Sequence, residues 1–143
     1  MKTCLLCLTI LLMSFTAEAQ EQTVLIHTKL INGRTGNPMK HEQVGLEDGA
    51  SYRELSVRTN EFGVATLKIR GNAVILIHNM DDYVNCADER GGLIAYDFKV
   101  SQIFSDGIVQ PIIQPNLCGK TSRVAKPGEL ILFVRPWRLG EKI

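Results

Sequence analysis

Three histidines, His27, His41 and His78, are the side chains of this 143-residue chain best suited to hold a metal or move a proton near neutral pH. Zinc needs three or four converging ligands, and no H-x-x-x-H spacing brings two of these histidines onto one surface. His27 and His78 could meet across paired strands, but one pair does not make a site. Four carboxylates, Asp81, Asp82, Asp88 and Glu89, crowd a short stretch, as calcium ligands do, yet without a D-x-D-x-D-G pattern they read as a solvated acidic loop. Ser101 and Ser105 lack the G-x-S-x-G elbow of a serine nucleophile. No catalytic set, metal or other cofactor is therefore expected, and the chain reads as a protein that is not an enzyme. Two places read as contact surfaces instead. Trp137 stands between Arg135-Pro136 and Arg138, either capping the end of a fold or anchoring a protein partner. Tyr83 lies among the acidic residues, in position to touch a carbohydrate or a peptide.

The remaining reactive candidates are cysteines, and their reading depends on the first nineteen residues. Lys2, an apolar run from Cys4 to Phe15 and the small-residue junction Ala17-Glu18-Ala19 before Gln20 have the form of a secretory signal peptide. No cysteine stands at that junction to carry a lipid anchor. The mature chain, residues 20–143, is expected to be exported to the periplasm or secreted. Cys4 and Cys7 leave with the leader, and Cys86 and Cys118 remain in a compartment where disulfides persist, so they are expected to pair.

Removing nineteen residues from 143 leaves 124, the size of one domain with a real core. Lys2 and Glu18 leave together, so the net charge stays at +1, with no run of one sign. That argues against nucleic acid or an anionic membrane as partner. No later apolar stretch approaches the roughly 18 residues of a membrane span, so no transmembrane segment is expected after the leader. A protein or a carbohydrate at the cell envelope fits such a surface better.

Short runs rich in Val, Ile, Leu and Thr alternate with clusters of Gly, Asn, Asp and Pro, and helical periodicity is not sustained, the pattern of an all-β chain. Strands are expected at Thr23 to Asn32, Glu42 to Glu47, Arg53 to Thr59, Val64 to Arg70, Ala73 to His78, Leu93 to Ser101, Ile108 to Ile113 and Glu129 to Arg135. The first carries apolar residues on both faces, as a strand inside a sheet does. Asn60-Glu61-Phe62-Gly63 reads as a hairpin loop joining the third and fourth strands. Residues 79–92 read as a long surface loop, Ser101 to Asp106 as one helical turn, and Ile108 to Ile113, broken by Pro111, as an edge. Seven or eight strands at this spacing make a single β-sandwich. Leu67, Ile75, Ile77, Leu132 and Val134 are expected in its core.

The turn chemistry of the first half, Ile31-Asn32-Gly33-Arg34-Thr35-Gly36-Asn37-Pro38, then Val44-Gly45-Leu46, then Thr59-Asn60-Glu61-Phe62-Gly63-Val64-Ala65, resembles the carboxypeptidase regulatory-like domains of the transthyretin-like group. The resemblance spans roughly residues 23–80 and implies a sandwich fold, not an activity. The segment Pro127 to Trp137 is similar to the tails of short exported bacterial proteins. One enzyme family shares the fold, the transthyretin-like hydroxyisourate hydrolases. Alignment with its opening motif puts Lys29 where its catalytic histidine belongs and Val64 where its arginine belongs. The closing Gly140-Glu141-Lys142-Ile143 lacks that family's Tyr-Arg-Gly-Ser terminus. The resemblance therefore implies a non-catalytic module, binding or structural, at the envelope. The alternative is a small exported hydrolase with a site of another kind.

Overall fold

The computed structural model describes residues 22–49, 53–77, 83–86, 97–110 and 116–137, with the backbone alone at 53–55, 76–77, 84–85 and 97. The leader, the acidic residues of the 79–92 stretch, His78 and Arg138 lie outside them. In chain order the elements are β1 (Thr23–Asn32), β2 (Gln43–Asp48), β3 (Arg53–Arg58), β4 (Val64–Arg70), β5 (Val74–Ile77), β6 (Tyr83–Asn85), β7 (Asp97–Lys99), α1 (Val100–Asp106), β8 (Ile108–Gln110) and β9 (Glu129–Pro136).

These strands form two sheets. The first runs β4-β1-β9-β6, with β8 also pairing to β9; the second runs β3-β2-β5-β7. In the first, β9 lies parallel to β1 and to β8 and antiparallel to β6, so β8 and β6 share one side of β9, one at each end. The inward faces of both sheets meet in one core. Val24, Ile26 and Leu30 of β1, Leu67 and Ile69 of β4, and Leu130, Leu132 and Val134 of β9 pack with Val44 and Leu46 of β2, Ile75 of β5 and Phe98 of β7. This is an all-β sandwich. The alternation that buries Ala65, Leu67 and Ile69 also turns Thr66 and Lys68 to solvent, so each strand shows one face to the core.

β9 departs from that rule. Leu130 to Arg135 are all buried, because Ile131 and Phe133 join Ile31 and Cys86 in a second, smaller core on the outer face of the first sheet. The segment after β8 supplies its cover: Cys118 and Ala125 pack onto that core from residues 116–126, here called the strap. A continuous apolar run is the sequence mark of a strand covered on both faces, and β9 is such a strand.

The expected hairpin of β3 and β4 does not exist as a sheet pair. β3 pairs with β2, and β4 pairs with β1, so the Asn60–Gly63 loop carries the chain from one sheet to the other. Thr59 ends β3 by donating its hydroxyl to the Met39 carbonyl at 2.7 Å, and the Leu30 amide donates to the Gly63 carbonyl at 2.9 Å. The turn itself reverses the chain as expected; what local turn chemistry does not specify is the neighbour that takes the strand's outer hydrogen bonds. Three further expectations change. Tyr83 to Asn85, read as loop, form a strand on β9; Val100 leaves the expected Leu93 to Ser101 strand to start α1; and the described strands number nine. The helical turn at Ser101 to Asp106 is present. α1 leads from β7 at the edge of one sheet to β8 in the other, burying Val100 and Ile103 between them.

Of the expected core residues, Leu67, Ile75, Leu132 and Val134 are buried, while the side chain of Ile77 lies outside the described set. Two buried side chains oppose this economy: among the described residues the Thr28 hydroxyl, 0 % exposed, and both polar atoms of the Gln110 amide, 1 % exposed, find no hydrogen-bond partner. A buried polar group left unpaired costs about 1–3 kcal/mol, so Gln110→Leu, of similar volume, is expected to stabilise the fold by about that amount in denaturant titration, whereas Leu132→Ala should destabilise it by about 2–5 kcal/mol. A lower midpoint for Gln110→Leu would show that the amide is bonded in solution.

Candidate functional site

Three connections of the chain converge on the outer face of the first sheet, and the disulfide fixes the first of them. Cys86, at the end of β6, is joined to Cys118 of the strap with α-carbons 5.2 Å apart, as export and two mature cysteines led one to expect. The Leu117 amide donates to the Cys86 carbonyl at 2.9 Å, and Asn116 clamps the strap by donating its side-chain amide to the Gly33 carbonyl at 2.6 Å and to the Thr121 carbonyl at 3.1 Å. Gly33 is required by proximity: a β-carbon there would come within 2.6 Å of both Cys86 Sγ and Asn116 Oδ1.

The second connection is the turn after β1, where Asn32 Oδ1 accepts from the amides of Arg34 and Thr35. The third is the Asn60–Gly63 loop. Asn60 Oδ1 accepts from the amides of Phe62 and Val64 at 2.9 and 3.1 Å, and Gly63 takes a positive φ of 69° in closing it. That arrangement leaves Phe62 at the loop tip, 77 % exposed.

Between the three lies a cleft of about 260 Å³, open to solvent, with Lys29, Ile31 and Val64 as floor and Pro38, Phe62 and Arg123 as walls. Lys29 on β1 and Val64 on β4 are register partners, so the two positions singled out by comparison with the hydrolases stand directly opposite one another. Lys29 Nζ donates to Glu129 Oε1 at 2.5 Å. The Arg123 guanidinium donates to the carbonyls of Ser122 and Gly36, each at 3.3 Å.

Glu129 has a displaced titration. Burial of its carboxyl pushes the pKa up, but the hydrogen bond from Lys29, a backbone bond from Lys126 and the charges of both lysines together outweigh burial and hold it below the ordinary value of 4.5. What the site offers chemically is positive charge beside an exposed aromatic ring over an apolar floor.

The expected contact residues are placed elsewhere. Tyr83 is half-buried and packs against the main core, and Arg135 is 8 % exposed with Nη1 donating to the Pro136 carbonyl at 3.3 Å. Because β6 and β9 pair Tyr83 with Pro136, the structure does bring Tyr83 beside the Arg135-Pro136-Trp137 end, where Trp137 is half-buried. His27 is exposed and hydrogen-bonded through Nδ1 to Thr66 Oγ1 at 3.1 Å, and His41 Nε2 lies 2.7 Å from Glu61 Oε1. Among the described residues no three metal-ligating side chains cluster. Sequence reading passed over Phe62 and Arg123 as contact residues. One signal was available, a large aromatic residue at a tight loop tip, where small polar residues are the rule.

Two outcomes follow from this geometry. Since the folded Glu129 carboxyl titrates below its ordinary 4.5, it contributes stability that is present above about pH 4.5 and is lost as pH falls through the lower folded value. Glu129→Gln should therefore flatten the acid limb of a stability-versus-pH curve; superimposable acid limbs would show that the pair contributes nothing. Gly33→Ala should cost about 1–3 kcal/mol through overpacking against the disulfide, read as a lower denaturation midpoint.

Comparison of the chain with models of protein families, with curated proteins and with solved structures gives no match.

Proposed function

We propose that the protein is an exported, non-catalytic β-sandwich module of the transthyretin-like, carboxypeptidase regulatory-like kind that binds a partner at the cell envelope through the outer-face cleft. The observation that carries this reading is the construction of the cleft. A turn, a loop and a disulfide-pinned strap, separate in sequence, hold Arg123 and Phe62 over Lys29. Rigid loops on a stable scaffold are where binding residues collect.

The non-catalytic part of the reading is supported by the two positions that the hydrolase resemblance makes critical. General acid–base transfer needs a group free to exchange a proton within hydrogen-bond reach of substrate. Here Lys29 is committed to Glu129, and the apolar Val64 stands across from it. A structural role for the module would use the same exterior, but would leave Phe62 without a reason to stand exposed.

The purified mature protein should match the buffer blank when assayed on hydroxyisourate and on peptide substrates. Turnover that disappears in Lys29→Ala would overturn the non-catalytic reading in favour of a small exported hydrolase. Export is checked separately: protein recovered from outside the cytoplasm should begin at Gln20, and retention of residues 1–19 would overturn that part.

A further inference from the structure

Resting on that reading of the cleft, we propose that its ligand is an acidic carbohydrate, a uronate-type sugar residue whose carboxylate is held by Arg123 and Lys29 while its apolar face lies on Phe62. Charge sets the first constraint. Lys29 spends one of its three N–H donors on Glu129, and its charge is balanced by that carboxylate. Arg123 has long bonds to two neutral carbonyls and no carboxylate partner among the described residues. The cleft therefore carries about one uncompensated positive charge, delivered by a planar guanidinium that matches a carboxylate in two-pronged fashion. A doubly charged phosphate would leave excess negative charge beside Glu129.

Shape sets the second constraint. At about 260 Å³ the cleft falls just below the roughly 300–1,000 Å³ of sites that enclose most of a drug-sized ligand, and it is open on one side. It suits a ring that leaves most of its polar surface in water. A sugar does this, laying its C–H face on an aromatic ring while its hydroxyls stay solvated, and an open cleft lets a polymer enter and leave. Phe62 offers that ring: exposed, on a loop whose backbone is held by the Phe62 and Val64 amides donating to Asn60 Oδ1. Among the described residues the lining holds no neutral hydrogen-bonding side chain, so hydroxyl stereochemistry is not read and the carboxylate is.

The test uses the full mature protein with its disulfide intact, titrated with an unsubstituted trigalacturonate and followed by backbone amide NMR shifts. Maltotriose serves as the neutral arm and a short glutamate-rich peptide as the anionic non-sugar arm. Trigalacturonate should shift amides of residues 33–37 and 60–64, bind more weakly as salt is raised, and lose about tenfold in affinity in Phe62→Ala and in Arg123→Gln. Both side chains are exposed, and unchanged thermal midpoints will show that the variants fold. Equal binding of maltotriose, preference for the peptide, or variants that bind as the wild type does would overturn the acidic-sugar assignment. Cleft shifts in those cases would leave the binding reading standing. Failure of every probe to shift cleft residues would overturn both.

Discussion

A strand buried on both faces obliges the chain to supply two covers, and β9 imposes that obligation here. Its inner face is covered by the second sheet. Its outer face would leave Ile131 and Phe133 in water, at a cost of roughly 1.5–3 kcal/mol for each large apolar side chain, were it not for the strap. The strap has no strand pairing of its own to hold it down. Among the described residues its attachments are the side chains of Asn116 and Arg123, a few backbone bonds and the Cys86–Cys118 bond, which spans 32 positions and so stabilises by about 3–4 kcal/mol in the chain-entropy picture. The disulfide is thus a fastening for the second core more than a general reinforcement, and Gly33 is small because the fastening passes over it.

The cleft lies where that cover ends. Along the outer face of β1 burial fades from Ile31, under the strap, through Lys29, partly open, to His27 and Leu25, exposed. Lys29 occupies the transition, and its bond to Glu129 bridges β1 and β9 at the margin of the dry region. The same strap that shields Ile131 brings Arg123 to the rim. Packing and site are therefore produced by one excursion of the chain, and a change that loosens the strap is felt in both.

Much of this was legible from the chain. Period-two alternation located β1 and β4, and the Pro127-Gly128 turn the start of β9, to within a residue, while the double cover of β9 emerged only from the packing of its outer face. The expectation of export, which leaves two cysteines, sufficed to expect the pairing that is present. Partnership was less visible. Nothing within β3 or β4 says that each belongs to a different sheet, because the alternation of either strand is the same beside any neighbour. Three-residue strands such as β6 and β7 owe their existence to β9 and β5, and carry too few residues for a period to register. The candidate site was the least legible part. Lys29, Phe62 and Arg123 are brought together by topology alone, and a single cation in a polar segment carries no mark of its future neighbours.

The parallel pairing of β1 with β9 also orders events in time. Lys29 and Glu129 are 100 positions apart, and nearly the whole described chain must be laid down before the middle of the first sheet can close. Contacts of such long range make folding slow, because loop-closure entropy is spent before the contact rewards it. Until then β1 can pair with β4 on one side only, and its second row of backbone donors and acceptors has no mate. The keystone of the sheet, β9, follows its partner β1 by about a hundred residues, so the topology itself sets the order in which the sheet closes.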